Sequence, residues 1–345
     1  MADVTDAAFR RVIAKYGKPD VMWTEFVSAD GLVRADAKGK KRLLKNLIYT
    51  ESERPIVAQL FSSHPGDMEK AARLCAKLGF DGIDINMGCP DKTIEKQGAG
   101  AALMKNPDLA LEVLLAAKRG AGKIPVSVKT RVGYNKNDLE TWLPRLLSAE
   151  PALITIHART RKEMSKIAAH WEYVKRAVEI RNEFKSETLI VGNGDVKDLE
   201  DAHRKAEETG ADGIMLGRAI FGNPWLFSSL KNSHPSLRSA SAPFKGRSPS
   251  SELSVSLLAG DPSLRRVQFA SERMGDVGAP MKLKVLLEHT KLFEKLFKGV
   301  KSFAVMKKHF KAYVNGFDGA SELRSKLMET ANAKEVEKII KNFIK

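Results

Sequence analysis

Residues 55–89 read PIVAQLFSSHPGDMEKAARLCAKLGFDGIDINMGC. The stretch opens on an apolar run, PIVAQLF, and turns at Ser-Ser-His-Pro-Gly. DMEKAARLCAKLGF then spaces its apolar residues as an amphipathic helix does, and GIDINMGC returns to a strand-like run. A helix between two such strands is a crossover, so the strands are parallel. Outward from this unit the same alternation recurs, with apolar runs at 21–29, 125–133, 152–160, 188–195 and 213–220. Seven strands in strict alternation predict an α/β fold, a (β/α)8 TIM barrel. Its first strand is expected to be truncated, because MADVTDAAFRRVIAKYG reads as the loop and helix that follow a strand.

Three regions are expected: a barrel over 1–227, a Ser/Pro-rich linker or insertion over 228–278, and a helical domain over 279–345. The linker reading rests on SSLKNSHPSLRSASAPFKGRSPSSELS, which has no periodicity. The last region repeats helical spacing in KLKVLLEHTKLFEKLF, SFAVMKKHFKAYVNGF and EVEKIIKNFIK, and predicts a small all-α helical-bundle domain. Hydrophobic residues make up 43% of 345, enough for a sizeable core. Two cysteines, Cys75 and Cys89, exclude a disulfide framework and suit a reducing cytoplasm. No apolar run approaches about eighteen residues, so no membrane span is expected. MADVTDAAFRR lacks the apolar segment of a signal peptide.

Net charge is +16, from 58 Lys+Arg against 42 Asp+Glu. From Val277 onward there are 15 basic and 7 acidic residues, so about half the excess sits in the last fifth of the chain. That concentration points to a polyanion such as nucleic acid; the alternative is a Lys-rich solvated surface.

Barrels collect function at the C-terminal ends of their strands. Those ends carry Gln59, then Asn86 and Cys89, then Lys129 and Arg131, then His157, Arg159 and Arg161. The last two carry Gly192-Asn193-Gly194-Asp195 and Gly217-Arg218. Paired glycine turns after the final two strands are the usual phosphate cradle, and Arg218 could add a charge-assisted bond. Read blandly, they are two tight turns. Lys129 and His157 favour a pocket together more than either does alone, and the arginines fit either a solvated edge or a nucleic-acid backbone. His157, His170 and His203 lack ligand-like spacing, so no metal is expected. Cys75 lies inside a helical pattern and reads as a core thiol. Cys89 lies past a strand end in a Pro turn, followed by Gly98-Ala99-Gly100. A thiol there could be a nucleophile or a general acid, and periodicity does not choose.

Taken in series, MADVTDAAFR, VAQLF, DGIDINMGCP with GAGAALM, VKTRVGY, IHARTR, VGNGDV and DGIMLGRAIFGNPWLF resemble the bacterial-type tRNA-dihydrouridine synthases. They cover nearly all of residues 1–227, and MKKHFKAYVNGFDGASELRSKL is similar to that family's helical tRNA-binding domain. The resemblance implies bound FMN, reduced by NADPH, with hydride passing to C6 of a D-loop uracil in tRNA and a proton from Cys89 to C5. It implies cofactor contacts at Met1, Ala2, Gln59, Lys129, His157, Asn193, Gly194, Asp195, Gly217 and Arg218, and substrate contacts at Asn86, Arg131, Arg159 and Arg161. A cytoplasmic monomer with no metal is expected. Here only Met1 and Ala2 remain of the family's first-strand Pro-Met-Ala contact, KEMSKIAAHWEYV lacks the usual Tyr and Gly, and 228–278 is long. The alternatives are a small-molecule FMN oxidoreductase on the same barrel and a non-catalytic tRNA-binding relative.

Overall fold

The computed structural model describes residues 1, 3–228 and 278–344. Ala2 and nearly all of the expected linker lie outside the described residues.

The strands are β1 (Met22–Trp23), β2 (Val27–Ser28), β3 (Ile56–Phe61), β4 (Gly82–Asn86), β5 (Val126–Arg131), β6 (Leu153–His157), β7 (Leu189–Asn193) and β8 (Gly213–Met215). All pairings are parallel, in the order β1-β3-β4-β5-β6-β7-β8, with β2 also on β3. The helices between them include α1 (Ala7–Tyr16), α2 (Ala29–Arg34), α3 (Ala37–Leu44), α4 (Pro65–Lys77), α5 (Lys92–Lys96), α6 (Pro107–Ala121), α7 (Leu139–Leu147), α8 (Trp171–Glu183) and α9 (Leu199–Thr209). This is the expected TIM-barrel architecture.

β1 and β2 are two pieces of one strand, split at Thr24-Glu25-Phe26. The split has a side-chain cause. The Thr24 hydroxyl accepts the Gln59 N–H at 3.0 Å, in place of a backbone carbonyl. The buried Glu25 carboxylate accepts from Lys301 Nζ at 2.6 Å, from the far end of the chain. Among the described residues β1 pairs only with β3 and β8 only with β7, so the ring has a seam between them. A cavity of about 450 Å³ occupies this seam, lined by Met22 and Thr24 on one side and by Ile214 to Arg218 on the other.

The helical domain comprises α10 (Ala279–Phe297), α11 (Met306–Tyr313), α12 (Ala320–Met328) and α13 (Ala333–Ile344). Its core holds Leu286, Phe293, Phe310, Leu327 and Val336. α1 belongs to both cores. Its Asp6 cap accepts the Phe9 N–H at 3.0 Å and fixes where the helix begins. Phe9 and Ile13 face the barrel core, while Ala7, Ala8 and Val12 join the helical one. Glu288 ties the domains further, accepting from Lys15 Nζ at 2.6 Å and from the Tyr16 hydroxyl at 2.7 Å. Beside α1 lie His289 and His309, fully buried with ring centroids 4.5 Å apart and Phe9 5.4 Å from His309.

Candidate active site

Strand register gathers the site. Asn86 pairs with Lys129, Arg131 with His157, and His157 with Asn193, which pairs in turn with Met215. Residues scattered over 130 positions thus reach one end of the barrel. Gln59, Lys129, His157, Asn193, Gly194, Asp195, Gly217 and Arg218 all line the seam cavity, with Met1. Its volume lies in the range that holds a cofactor-sized ligand.

The floor is polar and hydrogen-bonded. Asp84 accepts from Gln59 Nε2 at 2.6 Å and from the Ser127 hydroxyl at 2.5 Å. Burial pushes its carboxyl up to about 6. Above it Asn86 Nδ2 donates to Gln59 Oε1 at 3.2 Å, and Lys129 Nζ lies 3.0 Å from Asn193 Oδ1. Burial, and then the charge of Arg131, lower the Lys129 ammonium to about 8, so it remains a cation at neutral pH. His157 is held far below its ordinary value by burial, with Lys129, Arg131, Arg159 and Arg218 adding repulsion. It is a neutral imidazole in a cationic neighbourhood.

The other end carries the two glycine turns. Gly194 sits at φ +131°, where a side chain would be strained, and nothing lies within 4 Å of where a Gly217 Cβ would stand. The backbone N–H groups of Gly194, Asp195 and Gly217 make no hydrogen bond among the described residues. Unpartnered donors around open backbone suit a phosphate. Asp195 also lines the cavity and pairs with two arginines. Its carboxylate ion-pairs with Arg159 and lies 2.5 Å from Arg218 Nη2. Burial opposes its charge, but Arg159, the Ala169 N–H and Arg218 outweigh it and hold the carboxyl low.

Cys89 rides on the segment after β4. Asn86 Oδ1 accepts the N–H groups of Gly88 at 3.2 Å and Cys89 at 2.9 Å, so the strand end dictates where the thiol turns. Gly100 explains the downstream glycines. The Ala101 N–H donates to the Cys89 carbonyl at 2.9 Å, and a Cβ on Gly100 (φ +62°) would stand 2.8 Å from that same oxygen. Ile94, Ala99, Phe61 and Phe26 pack around the half-buried thiol. Burial raises its pKa, with Arg131 only partly opposing, so it keeps its proton at neutral pH. That favours an acid over a nucleophile. Cys75 is buried in the core, its thiol pushed up to about 12.

The four expected substrate contacts come together, but with polar atoms already engaged. Asn86 serves Gln59 and the Cys89 turn. Arg131 donates to the carbonyls of Gly88 (2.8 Å), Thr160 (3.0 Å) and Met164 (3.0 Å). Arg159 Nε donates to the Ile167 carbonyl at 2.7 Å, and Arg161 Nε to Glu95 at 2.8 Å. Asp84, Glu95 and Tyr134 were missed from sequence. An acid inside the apolar GIDIN run was the one available signal for Asp84; the Glu95 partner lies 66 positions away. The fold also brings Asp30, His64 and Asp67 within 4.8 Å, although their spacing does not suggest it. His64 Nδ1 is 2.8 Å from Asp30, and Arg34 Nε is 2.5 Å from Asp67. No helix among the described residues is long and apolar enough to cross a membrane.

The dihydrouridine synthase family model matches residues 1–248. "Probable tRNA-dihydrouridine synthase 2" of Bacillus subtilis (strain 168) is 36% identical, over 99% of this chain and 92% of its own length. "Probable tRNA-dihydrouridine synthase" of Staphylococcus aureus (strain COL) is 35% identical, over 99% and 91%. A solved variant of NCR from Zymomonas mobilis aligns over 67% of this chain and 82% of that one, at 19% identity and a TM-score of 0.44. A family model over most of the barrel and relatives aligned along nearly the whole chain lead to one assignment: this chain belongs to the dihydrouridine synthase family.

Proposed function

We propose that the chain reduces the C5–C6 double bond of a D-loop uridine in tRNA, with FMN bound in the seam cavity and NADPH as reductant. The observation that carries this is the half-buried Cys89 thiol, its pKa raised by burial, in the turn held by Asn86, the register partner of Lys129. The residues present fit FMN. Asn193, Gly194, Gly217 and Arg218 would hold its phosphate and ribityl chain, with Asp195 orienting Arg218. Gln59, Lys129 and His157 would meet the ring, and Met1 would close the near side. FMN held there would supply hydride chemistry toward C6, with NADPH as the source of reducing equivalents.

Cys89 releases its proton to C5 of the uracil. Asn86 and Arg131 fix the turn that aims the thiol. Lys129 holds positive charge where negative charge collects in the cavity, and buried charge of that kind acts strongly. His157, being neutral, adds shape and hydrogen bonding without a further charge. The basic helical domain, with 15 Lys+Arg against 7 Asp+Glu from Val277 on, supports a tRNA partner.

The test is incubation with FMN, NADPH and unmodified tRNA, followed by mass spectrometry. Dihydrouridine at a defined position is expected; none, with flavin bound at full occupancy, sinks the reading. Arg218→Ala should weaken FMN binding by about tenfold or more, the value of a charge-assisted phosphate bond. Flavin fluorescence titration checks it, and unchanged affinity would remove Arg218 from the cradle.

A further inference from the structure

Glu95 takes no part in the cavity, yet three loops at the barrel's functional end converge on it. It lies on α5, six positions beyond Cys89 in the same segment. Its carboxylate takes both prongs of the Arg161 guanidinium, with Nε at 2.8 Å. The Tyr134 ring lies under that same guanidinium. Glu95 belongs to the loop after β4, Tyr134 to the loop after β5, and Arg161 to the loop after β6.

The Tyr134 ring carries cations as well. Lys105 Nζ stands 4.1 Å from its centroid and the Arg161 guanidinium 5.3 Å. Lys105 closes the 3-10 turn Gly100–Lys105, the other half of the segment that bears Cys89. Both halves therefore grip one post. The post is stiff, because the Arg161 N–H donates to the Gly133 carbonyl and the Lys162 N–H to that of Tyr134, each at 2.9 Å. A forked Arg–carboxylate pair fixes orientation as well as distance. The Glu95 side chain is only 10% exposed, so water screens the pair little.

We infer that Glu95 is a positioning residue: forked to Arg161, whose guanidinium lies over the Tyr134 ring, it holds the Cys89 segment down against the barrel and so sets where the thiol stands. Arg161 then acts by anchoring the segment. The inference rests on the reading of Cys89 as the proton donor, but its geometry can be tested apart from it.

The test is the alkylation rate of Cys89 by iodoacetamide in the full chain, measured with thermal midpoint and turnover. Cys75 is buried in the core, so the reaction reports Cys89. Glu95→Gln and Arg161→Gln should each speed alkylation several-fold with little change in midpoint. Turnover should fall by about 10- to 100-fold, the cost of an ångström-scale misplacement. Glu95→Lys should behave likewise, and the swap Glu95→Lys with Arg161→Glu should restore slow alkylation. Should one single variant fail to fold, the other and the swap decide. Alkylation rates unchanged in the singles, or a swap as reactive as Glu95→Lys, overturn the inference. Faster alkylation in the singles, reversed by the swap, upholds the clasp even if the unaltered protein forms no dihydrouridine; that lack would overturn the proton-donor reading alone.

Discussion

Cys89→Ala is expected to lose about 10²- to 10⁴-fold in dihydrouridine formation, the usual worth of a placed general acid, while binding FMN and tRNA as before. The fold around position 89 does not depend on sulfur. Its N–H is held by Asn86 Oδ1 and its carbonyl by the Ala101 N–H, and alanine keeps both bonds. What alanine lacks is a proton. Neither carboxyl group of the Cys89 segment replaces it, since Glu95 is committed to Arg161 and Asp91 caps α5. His157 cannot, because burial and four neighbouring cations keep it unprotonated. Rapid mixing of reduced, flavin-loaded variant with tRNA, followed by mass spectrometry, measures the step directly. Normal product at a normal rate would sink the assignment of the acid.

The second large effect is on stability in acid. Both ring nitrogens of His289 and of His309 lack hydrogen-bond partners among the described residues, and so does the Tyr313 hydroxyl beside them. Burial drives the His309 pKa down to about 3, with Lys308 adding repulsion, and drives His289 well below its ordinary value. Glu288 is the nearby acid, and it is engaged by Lys15 and Tyr16. The sign follows. An unfolded chain takes up protons on these imidazoles below about pH 6.5, and the folded chain refuses them. Stability contributed by the neutral pair is complete above that pH and is lost as pH falls from there toward about 3. The loss is on the order of several kcal/mol for such depressed groups. Thermal midpoints at pH 7.5 and pH 5 measure it. His289→Phe with His309→Phe should flatten the difference, and an equal drop in the double variant would show that other groups are responsible.

The barrel was legible because each strand run is continuous and each helix amphipathic. The interruption at Thr24-Glu25-Phe26 was not, because its cause is Lys301, some 276 positions away. The paired glycine turns that line the cavity were legible in spacing, but the ion pairs of Asp195 with Arg159 and Arg218 were not, since spacing does not show which cations reach a carboxylate. The same holds for Arg131, Arg159 and Arg161. Strand alternation gives the face a side chain occupies but not which carbonyl or carboxylate captures it there. The sequence left acid and nucleophile open for Cys89, and the burial that favours the first in the proposed reaction comes only from packing.

α1 has a consequence beyond architecture. Phe9, Arg10 and Ile13 line the cavity, and Ala7, Ala8 and Val12 complete the helical core. One ten-residue element therefore enters the free energy of both. A ligand that binds the cavity only when α1 is in place stabilises the helical core by mass action. Thermodynamic linkage makes the effect reciprocal: RNA that favours the docked helical domain tightens cavity binding by the same factor. With FMN in the cavity and tRNA on the helical domain, as proposed, cofactor occupancy and RNA affinity would be two readings of one equilibrium.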